Sequence, residues 1–198
     1  MSDTLSRKLV IISRTPLRAS FCGGGTDIDS FSNFEPSGGR VASLSIDKYV
    51  YVTLNPRFDD NIRISYSSME IVNSIDEIRH DLVREAMLLT GVTSGIEITT
   101  IADIPGRGTG LGSSSSVTVG LLHALHCFAG RKVSKAQLAE EACKIEIDIL
   151  GAPIGRQDQY AAAFGGINSI SFNSEGVSVD PIEINQSTIS RINEEFFL

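Results

Sequence analysis

Residues 104–116 read I-P-G-R-G-T-G-L-G-S-S-S-S, with glycine at every second position from Gly106 to Gly112 and then four serines. Glycine adopts backbone conformations that other residues resist, and serine at the head of a helix supplies amide and hydroxyl donors. Such a run folds around a bulky anion, while the amides and positive dipole end of a following helix face it. The flanks agree with this, because 96–104 is an apolar strand-like run and 117–128 an apolar helix-like run. The stretch therefore reads as a phosphate cradle between packed elements rather than as a flexible Gly/Ser linker. Two common phosphate loops do not fit it. No lysine follows these glycines, as G-x-x-x-x-G-K-[ST] requires, and G-x-G-x-x-G fails because Leu111 and Ser113 stand where its last glycine belongs.

Working outward, residues 95–104 alternate and deliver the chain into the cradle. Before them, 76–90 place apolar residues at Ile78, Leu82, Val83, Ala86 and Leu89 and stop at Gly91, the pattern of an amphipathic helix with a glycine C-cap. His80 reads as solvated on the polar side of that helix. Residues 41–56 and 62–67 alternate with period two across a turn-rich loop, which predicts an antiparallel hairpin. Residues 8–21 read as a strand, or a pair of strands broken at Pro16, ending in the turn-forming G-G-G-T-D at 23–27. Taken alone, that turn ends in an exposed Asp27.

Downstream of the cradle, 116–128 is apolar almost all round and predicts a buried helix. Its His123 and His126 lack a third metal ligand and read as packing. Ser134 to Gln137 has the form of a capping box opening a helix to about Leu150. That helix carries Glu140, Glu141, Glu146 and Asp148, any of which would ordinarily lie on a solvated face. Glu146 differs because a Gly-Pro loop follows and returns the chain at Asp158, so that two carboxylates twelve residues apart can share one cleft with the cradle. By itself Asp158 also suits a helix N-cap. Strands at 164–172 and 176–184 and a weak helix or loop at 187–195 complete the chain.

Composition sets outer bounds. The 198 residues are 41% hydrophobic and 21% charged, ordinary for a soluble globular protein, and the net charge of −7 argues against nucleic acid as a partner. Cys22, Cys127 and Cys143 lack metal-ligand spacing and suggest a reducing, cytoplasmic setting. No run is long enough to span a membrane, and the N-terminus lacks a signal-like apolar core. A homodimer stays open.

P-G-R-G-T-G-L-G-S-S-S-S resembles the second signature of the GHMP kinases, the small-molecule kinases named for galactokinase, homoserine kinase, mevalonate kinase and phosphomevalonate kinase. That signature usually reads P-x-x-x-G-L-G-S-S-A, and Pro105 here lies one residue further from Gly110. Galactokinases carry P-G-R-V-N-L-I-G-E-H-T-D near the N-terminus, and residues 16–27 read P-L-R-A-S-F-C-G-G-G-T-D without a gap. They also carry a magnesium-binding Glu twelve residues before the catalytic Asp of G-x-P-C-G-I-M-D-Q-F, which G-A-P-I-G-R-Q-D-Q-Y resembles.

The resemblance implies an α+β, two-layer GHMP-kinase N-terminal domain, the fold shared with a ribosomal-protein domain, over 1–185. Residues 186–198 would begin the connection to a C-terminal domain carrying a third signature that this chain lacks. It further implies ATP and Mg2+ as cofactors and a small-molecule sugar or sugar phosphate as partner. ATP phosphates would lie on Pro105, Gly108, Gly110, Leu111, Gly112, Ser113, Ser114 and Ser115. Magnesium would sit on Ser114 and Glu146, with Ser113 and Ser115 competing for the serine's place. Asp158 would be the catalytic base and Arg18 the cation beside it, while Gly24, Gly25, Thr26 and Asp27 would hold the sugar. Gly24 and Gly25 replace the Glu-His pair of galactokinases, which argues against galactose. The motifs look most like the D-glycero-D-manno-heptose 7-phosphate kinases, with Arg14, Arg40 and Arg107 as candidates for the sugar phosphate. An L-fucose kinase-like sugar 1-kinase and a non-catalytic nucleotide- or sugar-binding fragment are the alternatives.

Overall fold

The computed structural model describes residues 9–104 and 110–195, and the alternating runs appear in it as strands of one sheet. They are β1 (Ile11–Cys22), β2 (Gly39–Pro56), β3 (Ile62–Ser65), β4 (Met69–Val72), β5 (Ile96–Ala102), β6 (Ile167–Asn173) and β7 (Gly176–Pro181). The order is β4-β3-β5-β2-β6-β7, with β1 also on β2. The long β2 is the spine. β1 runs antiparallel along one side of it, and the other side is shared between β6, opposite residues 39–44, and β5, opposite residues 50–56.

One strand expectation is corrected, and of two alternatives for β1 the single strand is found. β2 and β3 form no hairpin, because β5 lies between them and pairs antiparallel with β2 and parallel with β3. β3 instead pairs antiparallel with β4. Pro16 does not break β1, since the pairing absorbs it as a register shift between Pro16 and Arg18. An edge strand tolerates a proline that lacks an N–H, which β1 illustrates.

The helices are α1 (Asp29–Ser32), α2 (Asp81–Thr90), α3 (Ser113–Phe128), α4 (Lys135–Cys143), α5 (Gln157–Phe164) and α6 (Gln186–Glu195). The layer is centred on α3, which crosses β1 and β2 and contacts α2, α4 and α5. Leu121, Leu122 and Leu125 of α3 meet Val50, Val52 and Leu54 of β2, all buried. At Gly120 a Cβ would stand 2.8 Å from Thr15 Oγ1, so glycine lets α3 lie directly on β1. The architecture is the expected α+β arrangement, a mixed sheet with α3 and α5 packed against it and α2 and α4 packed against α3.

Local signals fix the helix ends. Gly91 closes α2 in the left-handed conformation, φ 67°, and the Ser134 hydroxyl accepts the Gln137 amide at the head of α4. The other half of the capping box is not made, because the Gln137 side chain bonds Glu141. α3 starts three residues before its expected position, at Ser113. α2 starts later than expected, after a separate 3-10 turn at Ile75–Glu77, which puts His80 at the helix N-cap. The helix after Ser134 does not run uniformly to Leu150 either. It becomes π-helical over Lys144–Ile149, the turn that carries Glu146, and such turns concentrate at functional sites.

Candidate active site

Gly110 and Gly112 both adopt positive φ, 66° and 71°, and hand the chain into α3. The amides of Ser113, Ser114 and Ser115 therefore head a buried helix without intrahelical acceptors, the first such bond being Ser116 N–H to Gly112 O. Ser116 also donates its hydroxyl to Pro16 O at 2.9 Å, pinning the helix start to β1. Of the predicted phosphate-binding residues, Gly110, Leu111, Gly112, Ser113, Ser114 and Ser115 are thus at this helix start, whereas Pro105 and Gly108 lie outside the described residues.

Glu146 is 2% exposed and sits beneath that helix start. Its Oε1 accepts from Ser114 at 2.8 Å and lies 3.0 Å from Thr118 Oγ1. Its Oε2 accepts from Ser115 at 2.7 Å and from the Gln159 amide. Ser114 is exposed at the mouth while Ser115 is buried, and no bond joins Ser113 to Glu146. Neither Thr118 nor Gln159 stood out in the sequence. Thr118 follows Ser114 by one helical turn, a spacing that could have found it.

Arg18, reaching from β1, places both Nε and Nη2 on Oδ1 of Asp158, at 2.7 and 2.6 Å, and donates Nη1 to Gly110 O at 2.7 Å. Asp158 Oδ2 takes no hydrogen bond among the described residues and stays open to the clefts. A Cβ on Gly112 would lie 3.2 Å from that oxygen, so glycine serves here by close approach as well as by φ. Burial pushes the Asp158 carboxyl above its ordinary value against the opposing pull of Arg18, and Asp27 adds to the rise. Asp158 is not the N-cap of α5; that position is Arg156, and Asp158 lies in the first turn.

Asp27 is not the exposed end of a turn. It is 1% exposed and accepts from the amides of Gly25 and Gln157 at 3.0 and 2.9 Å, and from the Gln157 side chain at 3.3 Å. It ties the glycine turn to the start of α5. Thr26 faces β2, donating to Gly23 O and accepting from the Arg40 amide, so its hydroxyl is turned to the scaffold. Gly24 lines neither cleft, while Gly25 lines the second one described below.

Two clefts meet at this point. One, of 370 Å³, is walled by Ser114, Ser115, Glu146 and Asp158 together with His80 and Leu82 of the α2 region. The other, of 240 Å³, is walled by Gly25, Asp27, Ile28, Gly155, Gln157 and Asp158. Asp158 and Ile154 line both. His80 is therefore a cleft residue rather than solvated surface. Its ring packs edge-on against Tyr66 at 4.6 Å, and burial holds its pKa below the ordinary value against Glu70 and Asp81. His126, by contrast, is buried packing, bonded to Glu141 at 2.7 Å.

No group of three or more His, Cys, Asp or Glu suited to a metal occurs among the described residues. One carboxylate and one hydroxyl nevertheless fit magnesium, which takes few protein ligands, keeps waters and shares substrate phosphates. The Ser114–Glu146 separation of 2.8 Å is close to the ~3 Å between adjacent ligands of an octahedral ion with bonds of about 2.1 Å. Neither Arg14 nor Arg40, two of the candidate phosphate-binding arginines, lines either cleft. Arg14 stacks on Tyr49 and approaches Asp47, Arg40 bonds Ser171, and Arg107 is outside the described residues.

Residues 73–166 match the family model for the GHMP kinases N terminal domain. The D-glycero-alpha-D-manno-heptose 7-phosphate kinase of Campylobacter jejuni is 33% identical over 187 residues, covering 88% of this chain and 54% of that protein. The L-fucokinase/L-fucose-1-P guanylyltransferase of Bacteroides fragilis is 29% identical, with 80% of this chain and 20% of that protein covered. A crystal structure of a D-glycero-D-manno-heptose 1-phosphate kinase from Bacteroides thetaiotaomicron superposes with a TM-score of 0.84 at 29% identity, covering 93% of this chain and 63% of that one. The chain thus spans about half the length, or less, of these curated relatives. Among the described residues, no helix is long and apolar enough to cross a membrane.

Proposed function

Because the chain belongs to the GHMP kinase family, we propose that it is the phosphate-binding and base-bearing part of an ATP-dependent sugar kinase. The reaction is transfer of the γ-phosphoryl group of ATP to the anomeric hydroxyl of a sugar. The acceptor in this reading is D-glycero-D-manno-heptose 7-phosphate, giving the 1,7-bisphosphate, as the name of the Campylobacter jejuni relative suggests. The observation that carries this reading is that Asp158 lines both clefts, one headed by the α3 amides and the other bounded by the glycine turn.

In this reading the amides of Ser113, Ser114 and Ser115 and the positive end of α3 hold the ATP phosphates. Ser114 Oγ and Glu146 Oε1 would hold magnesium, which would supply positive charge to offset that developing on the transferred phosphoryl group. Asp158 Oδ2 accepts the proton of the anomeric hydroxyl, whose oxygen forms a bond to the γ-phosphorus as the bond from phosphorus to the β–γ bridging oxygen breaks and ADP leaves. Arg18 holds Asp158 by Oδ1 alone, which keeps Oδ2 aimed outward, and its charge favours the ionised base while stabilising the developing alkoxide. Residues 1–185 form the domain in this assignment, and α6 begins the connection onward.

A second acceptor reading rests on one feature of the second cleft. Among the described residues, none that lines it is basic, which suits a neutral sugar such as L-fucose and accords with the fucokinase relative. ADP release, measured with each candidate acceptor in turn, separates the readings. Heptose 7-phosphate turnover well above that with L-fucose or galactose supports the first, and preference for L-fucose supports the second. Nucleotide binding with no acceptor-dependent turnover, in this chain and in a longer form matching the full length of its relatives, would leave a non-catalytic binding protein.

A further inference from the structure

Gln159 is wholly buried, and its side chain is half satisfied. Nε2 donates to Glu146 Oε2, whereas Oε1 has no partner among the described residues. Leaving a buried acceptor unpaired is unfavourable, and such an atom in a folded core calls for a reason. Turning the amide over would not help. Oε1 would then face the Glu146 carboxylate, acceptor against acceptor, and the donor would be lost. The orientation is therefore set by Glu146, and the unpaired oxygen is its consequence.

The surroundings of Glu146 show what the orientation accomplishes. Ser115 and Gln159 hold Oε2 from the buried side, while Oε1 is shared by Thr118 and the exposed Ser114. The two oxygens are thereby distinguished, Oε2 anchored in the core and Oε1 presented at the mouth of the larger cleft. From this arrangement, and resting on the kinase reading above, we infer that Gln159 is a positioning residue for the metal site. It fixes the rotation of the Glu146 carboxylate so that Oε1 and Ser114 Oγ face a divalent cation together. Gln159 touches neither cation nor substrate in this role. It also adjoins Asp158 on the first turn of α5, so one short helix sets the base and the metal-binding carboxylate in a common frame.

The test uses the full chain with Mn2+ and a non-hydrolysable ATP analogue, free Mn2+ being followed by electron paramagnetic resonance. Analogue affinity is measured separately in EDTA. Gln159→Met is expected to weaken Mn2+ binding about 10- to 100-fold, the usual effect of losing an outer partner of a metal ligand, with the metal-free analogue affinity within about twofold of wild type. Thr118→Val, which removes a donor from a different helix, is expected to show the same signature more weakly and keeps the test decisive if Gln159→Met folds poorly. Unchanged Mn2+ affinity in both variants overturns the inference, as does a parallel loss of Mn2+ and metal-free analogue affinity, which marks a merely structural role. If the wild-type chain binds the analogue but no Mn2+, the metal assignment fails at Glu146 itself and this inference with it. If wild type binds neither, the kinase reading fails.

Discussion

Replacing Gly155 by alanine perturbs the junction between the glycine turn and α5 through sterics alone. Gly155 is not among the glycines with positive φ, so alanine meets no backbone penalty there. Its Cβ, however, would fall 2.0 Å from Asp27 Oδ2 and 2.4 Å from the carboxylate carbon. Relief requires the carboxylate to retreat by at least ~1 Å, enough to carry the contacts with the Gly25 and Gln157 amides out of hydrogen-bond range. Hydrogen bonds to a charged group contribute roughly 1.5–3 kcal/mol each, so losing both costs about 3–6 kcal/mol. Against a typical total stability of about 5–15 kcal/mol, Gly155→Ala is strongly destabilising. At roughly 2–4 °C per kcal/mol for a chain of this size, the Tm falls by about 6–24 °C. Circular dichroism melting and urea unfolding measure this directly, with Cm lowered and m unchanged. Adding Gly155→Ala to Asp27→Ala is expected to cost little more than Asp27→Ala alone, because the obstacle is gone. A single Gly155→Ala variant within about 1 kcal/mol of wild type would refute the reasoning.

Arg18→Met removes the cation that opposes the burial-driven rise of the Asp158 pKa, so that pKa climbs further. A raised carboxyl pKa disfavours folding where the unfolded carboxyl is ionised, so the stability deficit of Arg18→Met is largest near neutrality and narrows as pH falls toward the ordinary carboxylate pKa. Urea unfolding from pH 4 to 8 checks the sign, and a deficit that widens toward acid would reverse it. Glu146→Gln is expected to raise the magnesium requirement for turnover by an order of magnitude or more, while unchanged metal dependence would return Glu146 to a structural role. Burial pushes the Cys143 thiol up to about 12, whereas Cys22 and Cys127 are exposed. A thiol-disulfide reagent is therefore expected to label the latter two in native protein and Cys143 only after unfolding.

Local chemistry was readable in the sequence and long-range pairing was not. The glycines and serines of 104–116 announce a helix start because backbone freedom and amide donors belong to those residues themselves. The offset between Glu146 and Asp158 was visible because both lie on one short piece of chain. The insertion of β5 between β2 and β3 was invisible, since alternation marks a strand and its buried face but not its neighbour. His80 was misplaced because helical spacing ran smoothly from Ile78 into α2, while a 3-10 turn and a fresh helix start interrupt the backbone there. The burial of Asp27 depends on Gln157, 130 residues away. A lone glutamine such as Gln159 carries no pattern, and its role emerges only when Glu146 is seen beside it.

The most direct test of the account is Asp158→Asn, made in this chain and in a longer form matching the full length of its relatives. Acceptor-dependent ADP release and ATP affinity would be measured together. If Asp158 is the base where the two clefts meet, turnover falls by orders of magnitude while ATP affinity changes little. Near-normal turnover in Asp158→Asn would contradict the account and remove that carboxylate from the chemistry.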